Sequence, residues 1–134
     1  MIRQYLDRAE IEYKVAVSIS ELYNEDYRYV NIIADHISCS IDMIVKFIMR
    51  CHGIGFPESR QSITSMIAVA DYNHIDLLMS DDIIQCLHLL DTWNMEARTN
   101  LNIDICIEEC NTVLDAIPEY IEIVQKVYYY IIEE

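Results

Sequence analysis

The chain has only two glycines and two prolines in 134 residues: Gly53, Gly55, Pro57 and Pro118. Sheet-rich folds need many tight turns, and tight turns draw on Gly, Pro, Asn and Asp, so this scarcity points to a few long helices. At this length one hydrophobic core can form but hardly two, so residues 1–134 are expected to make a single domain. An apolar fraction of 53% suits a packed globule rather than a disordered chain.

Hydrophobic spacing divides the chain into helices. From Ile2 to Tyr23, Leu6, Ala9, Tyr13, Ala16 and Tyr23 form an apolar stripe opposite Arg3, Asp7, Glu10, Lys14, Ser18 and Glu21. Asn24-Glu25-Asp26 interrupts that pattern with turn-forming residues. A second helix is expected from about Asp26 to Cys51, with Val30, Ile33, Ile37, Ile41, Ile44 and Ile48 as its seam. Asn31, Asp35, Asp42, Lys46 and Arg50 are expected to keep its other side in water. At 1.5 Å per residue it would be roughly 40 Å long. Gly53 and Gly55 then offer left-handed positions, and Pro57 delays the next helix.

Ser59 is a candidate N-cap for a third helix ending near Tyr72, with Asn73 as a left-handed C-cap. Ser80 is expected to cap a fourth helix, with Asp81 and Asp82 favoured by the helix dipole in its first turn. Cys86, Leu87, Leu90, Trp93 and Ala97 make its buried side, and it frays around Arg98 to Asn102. A last helix from about Ile103 carries Leu114, Ile117, Ile121, Val124, Tyr128 and Ile131 at helical steps. Pro118 predicts a kink or break within it. The expected fold is all-α, an antiparallel up-and-down bundle of four to five helices.

The net charge of −14, with nine Lys and Arg spread along the chain, disfavours binding to a phosphate backbone. It favours a protein partner with a basic surface, and it also keeps a hydrophobic small protein in solution. Five cysteines is an odd number, and charged residues rather than a signal peptide open the chain. Reduced thiols and a cytoplasmic location are the expectation. No apolar run reaches the roughly 20 residues of a membrane span, so no membrane association is expected.

Candidate chemistry is sparse. His36, His52, His74 and His88 lie far apart, and none pairs with a ligand at metal-binding spacing. Cys106 and Cys110 share a helix face, but their apolar surroundings read as buried thiols, so neither metal nor cofactor is expected. Glycine-rich phosphate loops are excluded by composition. Asp81-Asp82, Glu108-Glu109 and Glu133-Glu134 are adjacent and so point to different helix faces. Ten tyrosines are present, and Tyr128-Tyr129-Tyr130 followed by Ile131 puts aromatic surface on nearly all sides of the last helix. These four residues are the interface candidates of a homodimer. They serve equally well to wrap the ends of their own bundle.

The stretch from His36 to Ile67, HISCSIDMIVKFIMRCHGIGFPESRQSITSMI, resembles the second-to-third-helix region of HEPN domains (higher eukaryotes and prokaryotes nucleotide-binding). There a Q-x-x-E-K-x-L-K-A helix leads into a G-x-x-x-P-x-T-H-D-L link. Asp42 falls at the acidic position and Lys46 at the second lysine. Gly53, Gly55 and Pro57 mark the link, and Arg60 stands where that family often has His. Leu6 to Glu10 is similar to the opening L-x-x-A-E, and Trp93 to Arg98 to the Y-x-x-x-A-R-Y segment.

The resemblance implies a bundle, commonly dimeric, that is either a metal-independent ribonuclease of toxin and defence systems or a non-catalytic partner of a nucleotidyltransferase. Ribonucleases of the family carry Arg followed, after four to six residues, by His, with Arg stabilising phosphate charge and His moving protons at the 2′-hydroxyl. Here Arg98 precedes Ile103, Asp104 and Ile105, with no His. Arg28 precedes His36 with seven residues between them, just over two helical turns along. The leading expectation is therefore a non-catalytic binding module acting with a nucleotidyltransferase or a toxin–antitoxin component. The alternative is a ribonuclease with a displaced site built from Arg28, His36 and Arg98, for which RNA would be the partner.

Overall fold

A computed structural model of the chain describes residues 2–22, 29–87, 89–91 and 107–132. Among these residues every regular element is helical: α1 Arg3–Leu22, α2 Val30–Cys51, α3 Ile63–Tyr72, α4 Asp81–Gln85, α5 Ile107–Val127 and α6 Tyr129–Ile132. The Asn24-Glu25-Asp26 turn and the stretch from Trp93 to Cys106 lie outside the described residues.

α1 and α2 run antiparallel, as two cross-links at opposite levels show. The Ser40 hydroxyl donates to the Ala9 carbonyl, and His36 meets Glu12. Leu6, Ala9 and Ala16 of the expected stripe are buried against α2. Small Ala9 and Ala16 let the two helices approach closely, and their full burial reflects it. The expected seam of the last helix is likewise inside: Leu114, Ile117, Ile121 and Val124 of α5, and Tyr128 just past its end, are all buried.

α2 is the central strut. Its predicted seam, Val30, Ile33, Ile37, Ile41, Ile44 and Ile48, is buried, but so is nearly every other residue from Ile37 to Met49. The expectation that Asn31, Asp42 and Lys46 face water is overturned, since all three are buried. The cause is topological. α1, α3 and α5 all pack on α2, and the 54–62 loop crosses its remaining side. A helix covered all round cannot keep a wet face, so its polar residues must find partners within the bundle.

The helix ends follow backbone rules that displace several sequence expectations by a few residues. α2 closes with a Schellman motif: Gly53 N–H donates to Arg50 C=O and Ile54 N–H to Met49 C=O, with Gly53 at φ +80°. α3 closes the same way, His74 N–H donating to Asp71 C=O and Ile75 N–H to Ala70 C=O. The left-handed residue is His74, at φ +58°, rather than Asn73, because the motif places that conformation one position beyond the cap. His74 is exposed, so His74→Gly removes backbone strain without losing packing. It is expected to raise stability by about 0.5–1 kcal/mol, read as a shift in the urea midpoint. An unchanged or lower midpoint would show that the His74 conformation is unstrained.

Ser62, not Ser59, is the N-cap of α3, its hydroxyl accepting from Ser65 N–H. Ser59 instead offers its carbonyl to Lys46. Ser80 has N-cap backbone geometry at α4, but its hydroxyl makes no capping bond. α4 is short and ends at Gln85, a turn at Cys86 interrupts the expected fourth helix, and helix is present again at Leu87 and residues 89–91; the rest of that helix lies outside the described residues. α5 continues unbroken through Pro118.

Candidate functional site

Of the three residues proposed from sequence for a displaced catalytic site, only His36 is among the described residues. Arg28 and Arg98 lie outside them. His36, half-buried on α2, has its Nδ1 2.5 Å from Glu12 Oε2 of α1. The carboxylate fixes the ring and occupies one of its nitrogens. Glu12 carries no signal in the sequence because its partner is 24 residues away on another helix.

A polar row continues along α2 from that pair. Arg60 reaches back from the loop to Asp35, donating to its carboxylate at 2.7 Å and its carbonyl at 2.8 Å. One helical turn on, Cys39 is buried beside Arg60. Burial pushes its thiol above the usual range, and the Arg60 guanidinium partly offsets this. Next come Asp42 and Lys46, with Nζ and Oδ2 2.8 Å apart but not aligned as a hydrogen bond. Lys46 donates to the Ser59 carbonyl at 2.9 Å, while Gln61 N–H donates to Asp42 Oδ1. Desolvation raises the Asp42 carboxyl, with Lys46 opposing it. The row clamps the 58–61 loop onto α2 and reads as structural.

The second feature is a groove of about 300 Å³ between α3, the 75–80 loop and α4. Ile67, Leu78, Met79, Ile84 and Leu87 make it apolar, and exposed Asp71 and Asp76 complete its lining. Ile84 is 49% exposed and Tyr72 nearby on α3 is 86% exposed. The loop is held firmly. Tyr120 of α5 donates its hydroxyl to Leu77 C=O at 2.7 Å, and Leu78 N–H donates to Asp76 Oδ1 at 2.8 Å. Between these anchors Leu78 takes φ +60°, a conformation costing a non-glycine residue about 1–2 kcal/mol. Its neighbour Ser80 has a buried hydroxyl with no hydrogen-bond partner among the described residues. Charge adds to this: no Lys or Arg occurs between Arg60 and Arg98, while Asp71, Asp76, Asp81 and Asp82 all lie on that stretch and are exposed.

Of the interface candidates, Tyr128 is taken up by its own bundle. Its ring meets Phe47 edge-on and its hydroxyl lies 2.9 Å from His52 Nε2. Ile131 is partly buried against the same core, whereas Tyr129 and Tyr130 are 60% and 56% exposed beside exposed Val127. Among the described residues no three His, Cys, Asp or Glu side chains cluster as metal ligands. No described helix is long and apolar enough to cross a membrane.

Burial raises three weak acids packed in or against the core above their solution values. The Cys51 thiol is pushed up to about 11, and Tyr120 and Tyr128 rise for the same reason. In the unfolded chain these groups release protons from about pH 9 upward, whereas the folded chain holds them, so folding loses ground as pH climbs. Stability is expected to be full below pH 9 and to fall steadily between pH 9 and 11. Urea midpoints across that range check this, and a flat profile would contradict it. Cys51→Ala should flatten the profile in part.

No family model, curated protein or solved structure matches the chain.

Proposed function

We propose that this chain is a HEPN-like, non-catalytic binding module that docks a basic, amphipathic segment of a protein partner in the groove between α3 and α4. The observation that carries the reading is an apolar groove set in a stretch free of Lys and Arg and edged by Asp71 and Asp76. An amphipathic helix with apolar anchors and flanking lysines matches both features. Such a partner suits the acidic chain as a whole, and a nucleotidyltransferase or toxin–antitoxin component with a basic surface fits the family resemblance. Exposed Tyr129, Tyr130 and Val127 support a second contact, between two copies.

Fluorescence anisotropy with a labelled helical Leu/Lys peptide tests the groove. Binding is expected to weaken several-fold in Asp71→Asn/Asp76→Asn and to lose much of its salt dependence. Asn at position 76 retains the oxygen that accepts from Leu78 N–H, so the loop should survive. Equal binding by wild type and variant, or equal binding of a Leu/Glu peptide, would refute the groove. Sedimentation of wild type against Tyr129→Ser/Tyr130→Ser reads the contact between copies, which fails if wild type is monomeric at high concentration.

A further inference from the structure

Five of the nine lysines and arginines have an acidic partner: Arg3 with Asp7, Lys14 with Glu10, Lys46 with Asp42, Arg60 with Asp35 and Lys126 with Glu122. Arg28 and Arg98 lie outside the described residues. The remaining two, Arg8 and Arg50, form no ion pair among the described residues, although the chain carries 23 acidic side chains. Both line one cleft of about 230 Å³, where the start of α1 meets the end of α2. That the only two described cations without a counter-charge converge on a single concavity is hard to ascribe to a solvated surface.

Three further features shape the cleft. Gln4 and Tyr5 line it from the first turn of α1, a 20-residue helix with no acid in that turn, so the positive end of the helix dipole lies alongside. Gly55 makes room for Arg50: a Cβ there would stand 2.7 Å from Arg50 Nη1 and touch nothing else but the same guanidinium. Gly55 is not left-handed, so its want of a side chain serves this close approach rather than a turn. Glu58 lines the same cleft without pairing to either arginine, and Lys46 fixes its carbonyl from below.

We propose that the Arg8–Arg50 cleft binds a small phosphate-type oxyanion. Two guanidiniums present planar forks of N–H donors that match a tetrahedral dianion, and Gln4 and Tyr5 add neutral hydrogen-bonding groups. Glu58 opposes a bare dianion, which limits affinity for inorganic phosphate. The groove between α3 and α4 plays no part in this site, so the two stand or fall separately.

Calorimetric titration with inorganic phosphate and, separately, ribose 5-phosphate tests the assignment, with ionic strength matched by chloride. Saturable one-to-one binding of either is expected, and the tighter of the two distinguishes a free phosphate from a phosphate ester. Arg8→Gln and Arg50→Gln should each weaken it about tenfold or more. Both side chains are exposed, so urea midpoints should stay at the wild-type value and confirm that each variant is folded. Gly55→Ala keeps every charge but displaces the Arg50 guanidinium, and should weaken binding as well. Absence of saturable binding in wild type, or wild-type affinity in all three variants, would overturn the proposal.

Discussion

Replacing Lys46 with alanine is expected to cost about 3–5 kcal/mol of folding stability, the usual penalty for stripping one partner from a buried ion pair. The side chains of Lys46 and Asp42 are 2% and 0% exposed, so water cannot step in for the missing ammonium. The Asp42 carboxylate would face an apolar interior with only Gln61 N–H to meet it, and Ser59 would lose the donor to its carbonyl. Asp42→Leu with Lys46→Met should recover most of the loss, since a well-packed apolar pair of similar volume avoids both desolvation costs. Urea denaturation of the wild type, the single variant and the double variant measures the contrast. A single variant within about 1 kcal/mol of wild type would mean that water reaches the pair. Because the pair clamps the 58–61 loop, a structural role predicts that this loop loosens even in the stable double variant.

That pair also marks the limit of what periodicity conveys. The seams of α2 and α5 were legible because Val30 to Ile48 and Leu114 to Tyr128 recur at three and four residues, and a helix buries whatever lies on its contact face. The opposite face of α2 is not legible in this way, because polar residue type does not by itself mean contact with solvent. Asp42 and Lys46 are four apart and so able to satisfy each other, which lets a polar face go inside. Nothing local announces that α1, α3, α5 and a loop will surround that helix. Glu12 with His36 and Tyr120 with Leu77 were equally hidden, since each joins residues that only the tertiary fold brings together. The groove was hidden for the same reason: the stretch from Arg60 to Arg98 lacks Lys and Arg, but its concavity forms only where α3, the 75–80 loop and α4 meet, and no leucine signals the left-handed backbone of Leu78. Capping errors were small and systematic. Several nearby serines can each serve as an N-cap, and the one chosen at α3 was settled by a carboxylate from far along the chain.

That carboxylate is Asp91, and Asp91→Ala is expected to destabilise the chain by about 2–3 kcal/mol. Its Oδ1 accepts from Ile63 N–H at 2.6 Å, and its Oδ2 accepts from the Ser62 hydroxyl at 2.9 Å and from Thr64 N–H at 3.2 Å. An isolated N-cap side chain satisfies one or two of the free N–H groups at a helix start. Here Ser62 and Asp91 together hold three, those of Ile63, Thr64 and Ser65, and the negative charge sits where the α3 dipole favours it. The bond also bridges 28 residues, tying the helical turn at 89–91 to the start of α3. Asp91→Asn keeps an accepting oxygen but not the charge, so roughly half the loss is expected from it. Amide exchange localises the effect: the N–H groups of Ile63 and Thr64 should lose protection first, ahead of those in α2. Since α3 carries Ile67 and Asp71 into the groove, the alanine variant should also bind the Leu/Lys peptide less tightly under conditions where it remains folded. A loss below about 0.5 kcal/mol with unchanged exchange at Ile63 and Thr64 would place the start of α3 under the control of Ser62 alone.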